Sequence, residues 1–201
     1  MSDFTTVDLL RHGEPEGGEK FRGALDDPLS LLGWEQLRTA VGDYRAWQAI
    51  VSSPLIRCAA FAKELADRLD RPLEIVPDFR ELNFGAWEGR TGAEVYTADQ
   101  LAVTQFWCDP VAHPVPGGEA VSDFDRRVST AWSVLLERYR GQHVLLVAHG
   151  GTIRMVLRQA LDLSLTNLWR FEVPYAALSR VRKHHDSDAD PQLVFLNGRP
   201  A

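Results

Sequence analysis

Five consecutive apolar residues, Val144 to Ala148, stand between His143 and His149. So short a run with no polar alternation predicts a strand buried on both faces of a sheet. Such a strand needs helices above and below it, which points to α/β layering. Val7 to Leu10, Ala49 to Val51 and Leu73 to Val76 read as further short strands, with candidates in the tail at Ala177 to Val181 and Leu193 to Leu196. Helical periodicities lie between them. Ser30 can cap a helix carrying Trp34, Leu37, Val41 and Tyr44, and Pro54 suits the first turn of a helix that runs on to Leu69. Ala98 to Trp107 is a shorter helical candidate. Val121 to Tyr139 form a long amphipathic helix that Gly141 can end, and Gly150 and Gly151 lead into a helix from Thr152 to Leu161. The order predicts an α/β fold: a three-layer sandwich with a mostly parallel central sheet and helices on both faces.

The chain has 201 residues, 45% of them hydrophobic and 25% charged, which fits one domain spanning 1–201 with its own core. The net charge is -6 and the 22 Lys and Arg are scattered, so the long-range field repels a polyanion and nucleic acid is not expected as a partner. Cys58 and Cys108 are far apart and form neither a disulfide framework nor a metal knuckle, which suits reduced thiols in a cytoplasm. Met1 to Thr6 carry Asp3 and no basic segment, so no export signal is expected. No apolar run approaches the roughly 18 residues of a membrane span, so no membrane partner is expected either. Oligomeric state has no readable signal.

Three stretches break the periodic pattern. Gly13 to Gly23 is loop-like, Asp78 to Gly92 reads as an ordered loop, and the Pro- and Gly-rich Asp109 to Gly118 reads equally as a lid or a connector. His184 to Asp190, HHDSDAD, mixes imidazoles and carboxylates that can in principle bind a metal, although such clusters usually form solvated turns.

His12 follows the first strand and His149 follows the buried one. In open α/β sheets the carboxyl ends of strands form the ligand crevice, so parallel neighbours would aim both imidazoles into one pocket. Arg11 precedes His12, and Arg57 lies just beyond the strand Ala49 to Val51. Either arginine alone reads as a surface ion pair; together beside His12 they fit a phosphoryl group, whose oxygens match the guanidinium fork. Gly150 and Gly151 open a helix whose first N–H groups favour an anion, although a Gly pair also suits a plain tight turn. In the loop ELNFGAWEG, Glu81 and Glu88 are both candidate proton donors, and the stretch itself does not choose between them.

These residues resemble the histidine phosphatase superfamily, also called phosphoglycerate mutase-like. LLRHGE at Leu9 to Glu14 is similar to its opening signature, SSPLIRC to its second arginine motif, RELNFGAWEG to its acid loop, and VAHGG to its second-histidine motif, in matching order. The resemblance implies that His12 takes the phosphoryl group while Arg11, Arg57 and His149 surround it. It further implies that Glu81, at the family's acid position, protonates the leaving alkoxide and then activates water. It implies a small phosphate monoester as substrate, and neither cofactor nor metal. Within the superfamily the chain looks most like the alpha-ribazole phosphatases of cobalamin synthesis, on its short length, its acid loop, Trp107, Asp109 and Pro110, PGGE ending at Glu119, and Phe124, Arg127 and Val128. A phosphoglycerate mutase, a broad-specificity sugar phosphatase and a non-catalytic binding module are the alternatives. The chain departs from the family pattern at Pro15 in place of Thr, Gly18 in place of Asn, and Ala60 and Phe61 in place of Gln and Thr.

Overall fold

The computed structural model describes residues 3–185 and 191–200. The chain runs β1 (Phe4–Arg11), α1 (Leu31–Val41), β2 (Ala49–Ser52), α2 (Ile56–Leu69), β3 (Leu73–Ile75), α3 (Gly92–Ala98), α4 (Gln100–Cys108), α5 (Val121–Arg138), β4 (His143–Ala148), α6 (Gly150–Ala160), β5 (Leu178–His184) and β6 (Gln192–Gly198). The strands form one sheet in the order β3-β2-β4-β1-β5-β6. The β2–β3, β2–β4 and β1–β4 pairs are parallel, while β5 is antiparallel to both β1 and β6. The α/β fold and its mostly parallel sheet are as the sequence predicted.

Alternation along β4 explains why its apolar run is unbroken. Val144, Leu146 and Ala148 face one core with α5 and α6, including Phe124, Trp132, Ile153 and Val156. Leu145 and Val147 face the other with α1 and α2, including Leu37, Phe61 and Leu65. All five are fully buried. At roughly 25 cal/mol per Å² of apolar surface, burial on both sides makes this strand the anchor of the sheet.

The helix ends correct several expectations. Ser30 caps α1 as predicted, its Oγ accepting the Gly33 N–H at 3.0 Å. The helix stops at Val41, because Gly42 takes φ 49° and turns the chain, so Tyr44 packs from a loop against Trp47. Pro54 stands ahead of α2, whose N-cap is Leu55. The segment from Ala98 to Trp107 is two helices, because Asp99 leaves helical geometry to cap α4 and accept the Ala102 N–H at 2.9 Å. α6 begins at Gly150, two residues earlier than predicted, which makes the glycine pair its first turn. Among the described residues no helix is long and apolar enough to cross a membrane. Most of the polar segment HHDSDAD, residues 186–190, lies outside the described residues.

Candidate active site

The parallel register brings the two histidines together. Arg11 pairs with Ala148 across β1 and β4, so His12 and His149 leave neighbouring strands side by side, with ring centroids 5.2 Å apart. Both are buried, His12 at 5% exposure and His149 at 0%. His12 Nδ1–H donates to its neighbour's carbonyl, Gly13 O, at 2.7 Å. Burial, reinforced by Arg11 and Arg57, holds the His12 imidazole well below its ordinary pKa. A neutral ring with Nδ1 protonated carries its free lone pair on Nε2. Burial also depresses His149, with Arg57, His12 and Arg11 adding to the effect.

The arginines are held by backbone carbonyls and keep donors in reserve. Arg57, fully buried at the start of α2, donates through Nη1 to Leu25 O and through Nη2 to Arg22 O and Gly23 O. Arg11 donates through Nη1 to Val173 O at 2.6 Å and lies over the Tyr175 ring, 4.2 Å from its centroid. Among the described residues, the buried Nε atoms of Arg11 and Arg57 have no hydrogen-bond partner. A guanidinium N–H unpaired in the interior is costly unless an anion meets it.

The acid loop separates its two glutamates. Glu88 accepts N–H bonds from Gly23, Ala24, Leu25 and Phe84, at 2.8 to 3.1 Å, and so clasps the loop before α1 to the acid loop. Glu81 instead reaches the start of α6: Oε2 accepts the Gly151 N–H at 2.9 Å and Oε1 its own neighbour's, from Leu82, also at 2.9 Å. A Cβ on Gly151 would collide with the Glu81 carboxylate, so this approach requires glycine. Glu81 lines the cleft and Glu88 does not. The Asp109 to Gly118 segment braces this loop as a connector, with Ala86 N–H donating to Pro116 O at 2.9 Å, and at its end Glu119 N–H to Asn83 O at 2.9 Å. Glu119 and Arg127 pair at 2.7 Å, and Arg127 donates to the carbonyls of Asp78, Arg80 and Glu81, so both hold the acid loop from behind.

A cleft of about 410 Å³ opens from this cluster. Arg11, His12, Glu81 and Gly150 line its polar floor, and Phe21, Phe84, Tyr96, Trp107 and Trp169 its apolar wall. Gly150 contributes the first turn of α6, where backbone N–H groups and the helix dipole favour an anion. Arg57 and His149 do not line the open cleft; they stand behind it, fully buried. Sequence reasoning missed Tyr175, Arg154 and Ser53. Arg154 follows Gly150 by one helical turn and its signal was that spacing; Tyr175 lies in an irregular tail with no periodic cue. Arg22 was missed too, buried with donor bonds to Asp27, Gly18 O and Glu16 O that fold the Gly13 to Gly23 loop on itself. Gly18, with φ 73°, suits that bend better than a larger residue.

Comparison with known proteins agrees with this geometry. The profile of the histidine phosphatase superfamily (branch 1) matches residues 7–197. The bifunctional protein Rv2228c of Mycobacterium tuberculosis is 35% identical over 200 residues, covering 96% of this chain and 54% of its own length. The chain therefore spans about half of that relative. Glucosyl-3-phosphoglycerate phosphatase of Mycolicibacterium vanbaalenii is 33% identical, covering 91% of this chain and 86% of its own. The structure of the alpha-ribazole phosphatase from Shigella flexneri superposes with a TM-score of 0.80 at 25% identity, covering 97% of both chains. With its profile matched from the first strand to the last and its paired histidines at parallel strand ends, the chain belongs to the histidine phosphatase superfamily, branch 1.

Proposed function

We propose that the chain is a phosphomonoesterase that works through a phosphohistidine at His12, with alpha-ribazole 5'-phosphate as its substrate. The observation that carries the reaction is the Nδ1–H bond of His12 to Gly13 O beside two buried arginines with unpaired Nε–H groups. In the first half, the His12 Nε2 lone pair attacks phosphorus and the ester P–O bond breaks. Glu81 delivers a proton to the departing alkoxide. In the second half a water attacks the phosphohistidine, Glu81 takes its proton, and the P–N bond breaks to free His12 and phosphate. Arg11, Arg57, His149 and the first turn of α6 offset the charge of the transferring group. Glu81 accepts two backbone N–H bonds, which hold its carboxyl group at the start of α6 beside the cleft.

The leaving-group assignment rests on the aromatic wall, which suits a flat heteroaromatic nucleoside, and on the likeness to the Shigella flexneri enzyme. Glu119 and Arg127 lend it little, because they hold the acid loop. Arg154 and Lys20 in the same cleft favour a second reading, a broad-specificity phosphatase of sugar phosphates or phosphoglycerates. A phosphate-release screen over alpha-ribazole 5'-phosphate, sugar phosphates and phosphoglycerates decides between them. We expect kcat/KM highest for alpha-ribazole 5'-phosphate by about tenfold, the value of one well-filled apolar subsite. A preference for phosphoglycerates would sink the assignment, and release that needs a bisphosphate primer would indicate a mutase.

A further inference from the structure

Three side chains stand at the carboxyl ends of β1, β4 and β2, with His12 level with His149 and Ser53 one position short of it. Arg11 pairs with Ala148 and Ser52 with Val147, so the residues that follow, His12, His149 and Ser53, leave adjacent parallel strands. The ladder continues to that level, with His12 N–H donating to Ala148 O and Ser53 N–H to Val147 O, each at 3.0 Å. Ser53 has no role in the reaction proposed above. Its Oγ nevertheless lies 2.6 Å from His149 Nε2, with both residues fully buried.

The direction of this bond follows from counting hydrogens. A hydroxyl has one hydrogen and two lone pairs. The Leu55 N–H donates to Ser53 Oγ at 3.3 Å, and His149 Nε2 is the other partner of that oxygen among the described residues. The Ser53 hydrogen therefore goes to Nε2. The His149 ring is neutral, since burial and the nearby Arg57 hold its pKa well down. A neutral ring carries one proton, so an accepting Nε2 places it on Nδ1. Cys58 Sγ lies beside the ring, 3.6 Å from Nε2 and 3.8 Å from Nδ1, and donates its own hydrogen to Ala148 O at 3.4 Å, so it competes for neither nitrogen's lone pair.

We propose that Ser53 is a positioning residue: its hydroxyl fixes His149, whose ring stands 5.2 Å from that of His12, as a neutral imidazole with its proton on Nδ1. The two rings are then set in complementary roles. In His12 a backbone carbonyl takes the Nδ1 proton and leaves a lone pair for attack; in His149 a hydroxyl covers the lone pair and leaves an N–H. Without Ser53, the proton of His149 has no fixed place on a ring that stands 5.2 Å from the attacking imidazole. Ser53 acts through His149, and its role rests on the phosphohistidine reading of His12.

The test uses the full chain labelled with 15N-histidine, together with Ser53→Ala, Ser53→Thr and His12→Ala. In the unsubstituted protein, two-bond 15N–1H spectra should show His149 with Nδ1 protonated and Nε2 bare. Ser53→Ala should move the proton toward Nε2 and lower kcat about tenfold with KM within about twofold, as for loss of one orienting hydrogen bond. Ser53→Thr, which keeps the hydroxyl, should restore both readouts. A protonated Nε2 in the unsubstituted protein overturns the proposal, and this spectrum decides even if a variant does not fold. An unchanged tautomer and kcat in Ser53→Ala, with His12→Ala inactive, overturns the role of Ser53 alone. Full turnover by His12→Ala overturns the phosphohistidine reading beneath it.

Discussion

Two buried polar clusters lie three residues apart on β1 and are built in opposite ways. Asp8 is fully buried, and both of its oxygens are used: Oδ1 accepts from Arg180 Nε at 2.7 Å, and Oδ2 from Trp47 Nε1 at 2.8 Å and from His143 Nε2 and Arg180 Nη2 at 3.0 Å. Burial alone would raise its pKa, yet the bonds from His143 and Arg180 bring it below the ordinary value. At the carboxyl end of the same strand, Arg11 and Arg57 each keep a buried N–H without a partner and sit beside imidazoles whose pKa burial holds well down. A cluster that satisfies itself contributes stability. One that leaves donors unmet gives up stability in the free protein and is completed by an anion. Burial and charge are common to both places, so completeness of bonding is what distinguishes these two.

His12→Ala should have the largest effect and sharpen this contrast. Turnover should fall at least about 10³-fold, as for removal of a covalent nucleophile, while the unfolding midpoint stays within a few degrees. Rapid-quench labelling should find an acid-labile phosphoenzyme in the unsubstituted protein and none in the variant; a labelled variant would remove His12 from its role. Asp8→Asn should do the reverse, because it leaves Arg180 buried without its counter-charge. We expect a loss of about 3 kcal/mol in urea unfolding with kcat within about twofold. A variant of full stability and reduced kcat would break the comparison.

The smallest effect is in pH. The unfolded chain protonates His12 and His149 as the pH falls through about 6.5, the ordinary value for an imidazole, whereas in the folded chain burial pushes both pKa values well down. Stability therefore declines from pH 6.5 downward, by at most about 1.4 kcal/mol per pH unit for each ring. Asp8, lowered from 3.8, contributes fully above that pH and loses its contribution only below it. Urea unfolding at pH 7.5 and 5.5 should show the decline, reduced in His12→Ala and unchanged in Asp8→Asn. Equal slopes in all three would mean that His12 carries no such penalty.

The sheet and the meeting of His12 with His149 were legible because both follow from local patterns, an apolar run and a residue just past a strand end. Arg11 and Arg57 were legible for the same reason. Ser53 was not, because its partner lies 96 residues away and only the β2–β4 register brings them together. Asp8 was hidden in the opposite sense: within VDLL it reads as a polar break in an apolar strand, although the fold buries it completely. The residues themselves left Glu81 and Glu88 open and the resemblance chose Glu81, which in the fold lines the cleft and meets Gly151 while Glu88 does neither.

The short segment from Arg22 to Leu25 is bonded along both of its edges: its carbonyls receive Arg57, and its N–H groups end on Glu88 beside the acid loop. Insertion or deletion of one residue there would disturb the seat of Arg57 and the clasp of Glu88 on the acid loop at once. Such a tether leaves little freedom for change in this stretch. Tyr96, Trp107 and Trp169 line the same cleft outside this tether, where a side chain can vary without touching those bonds.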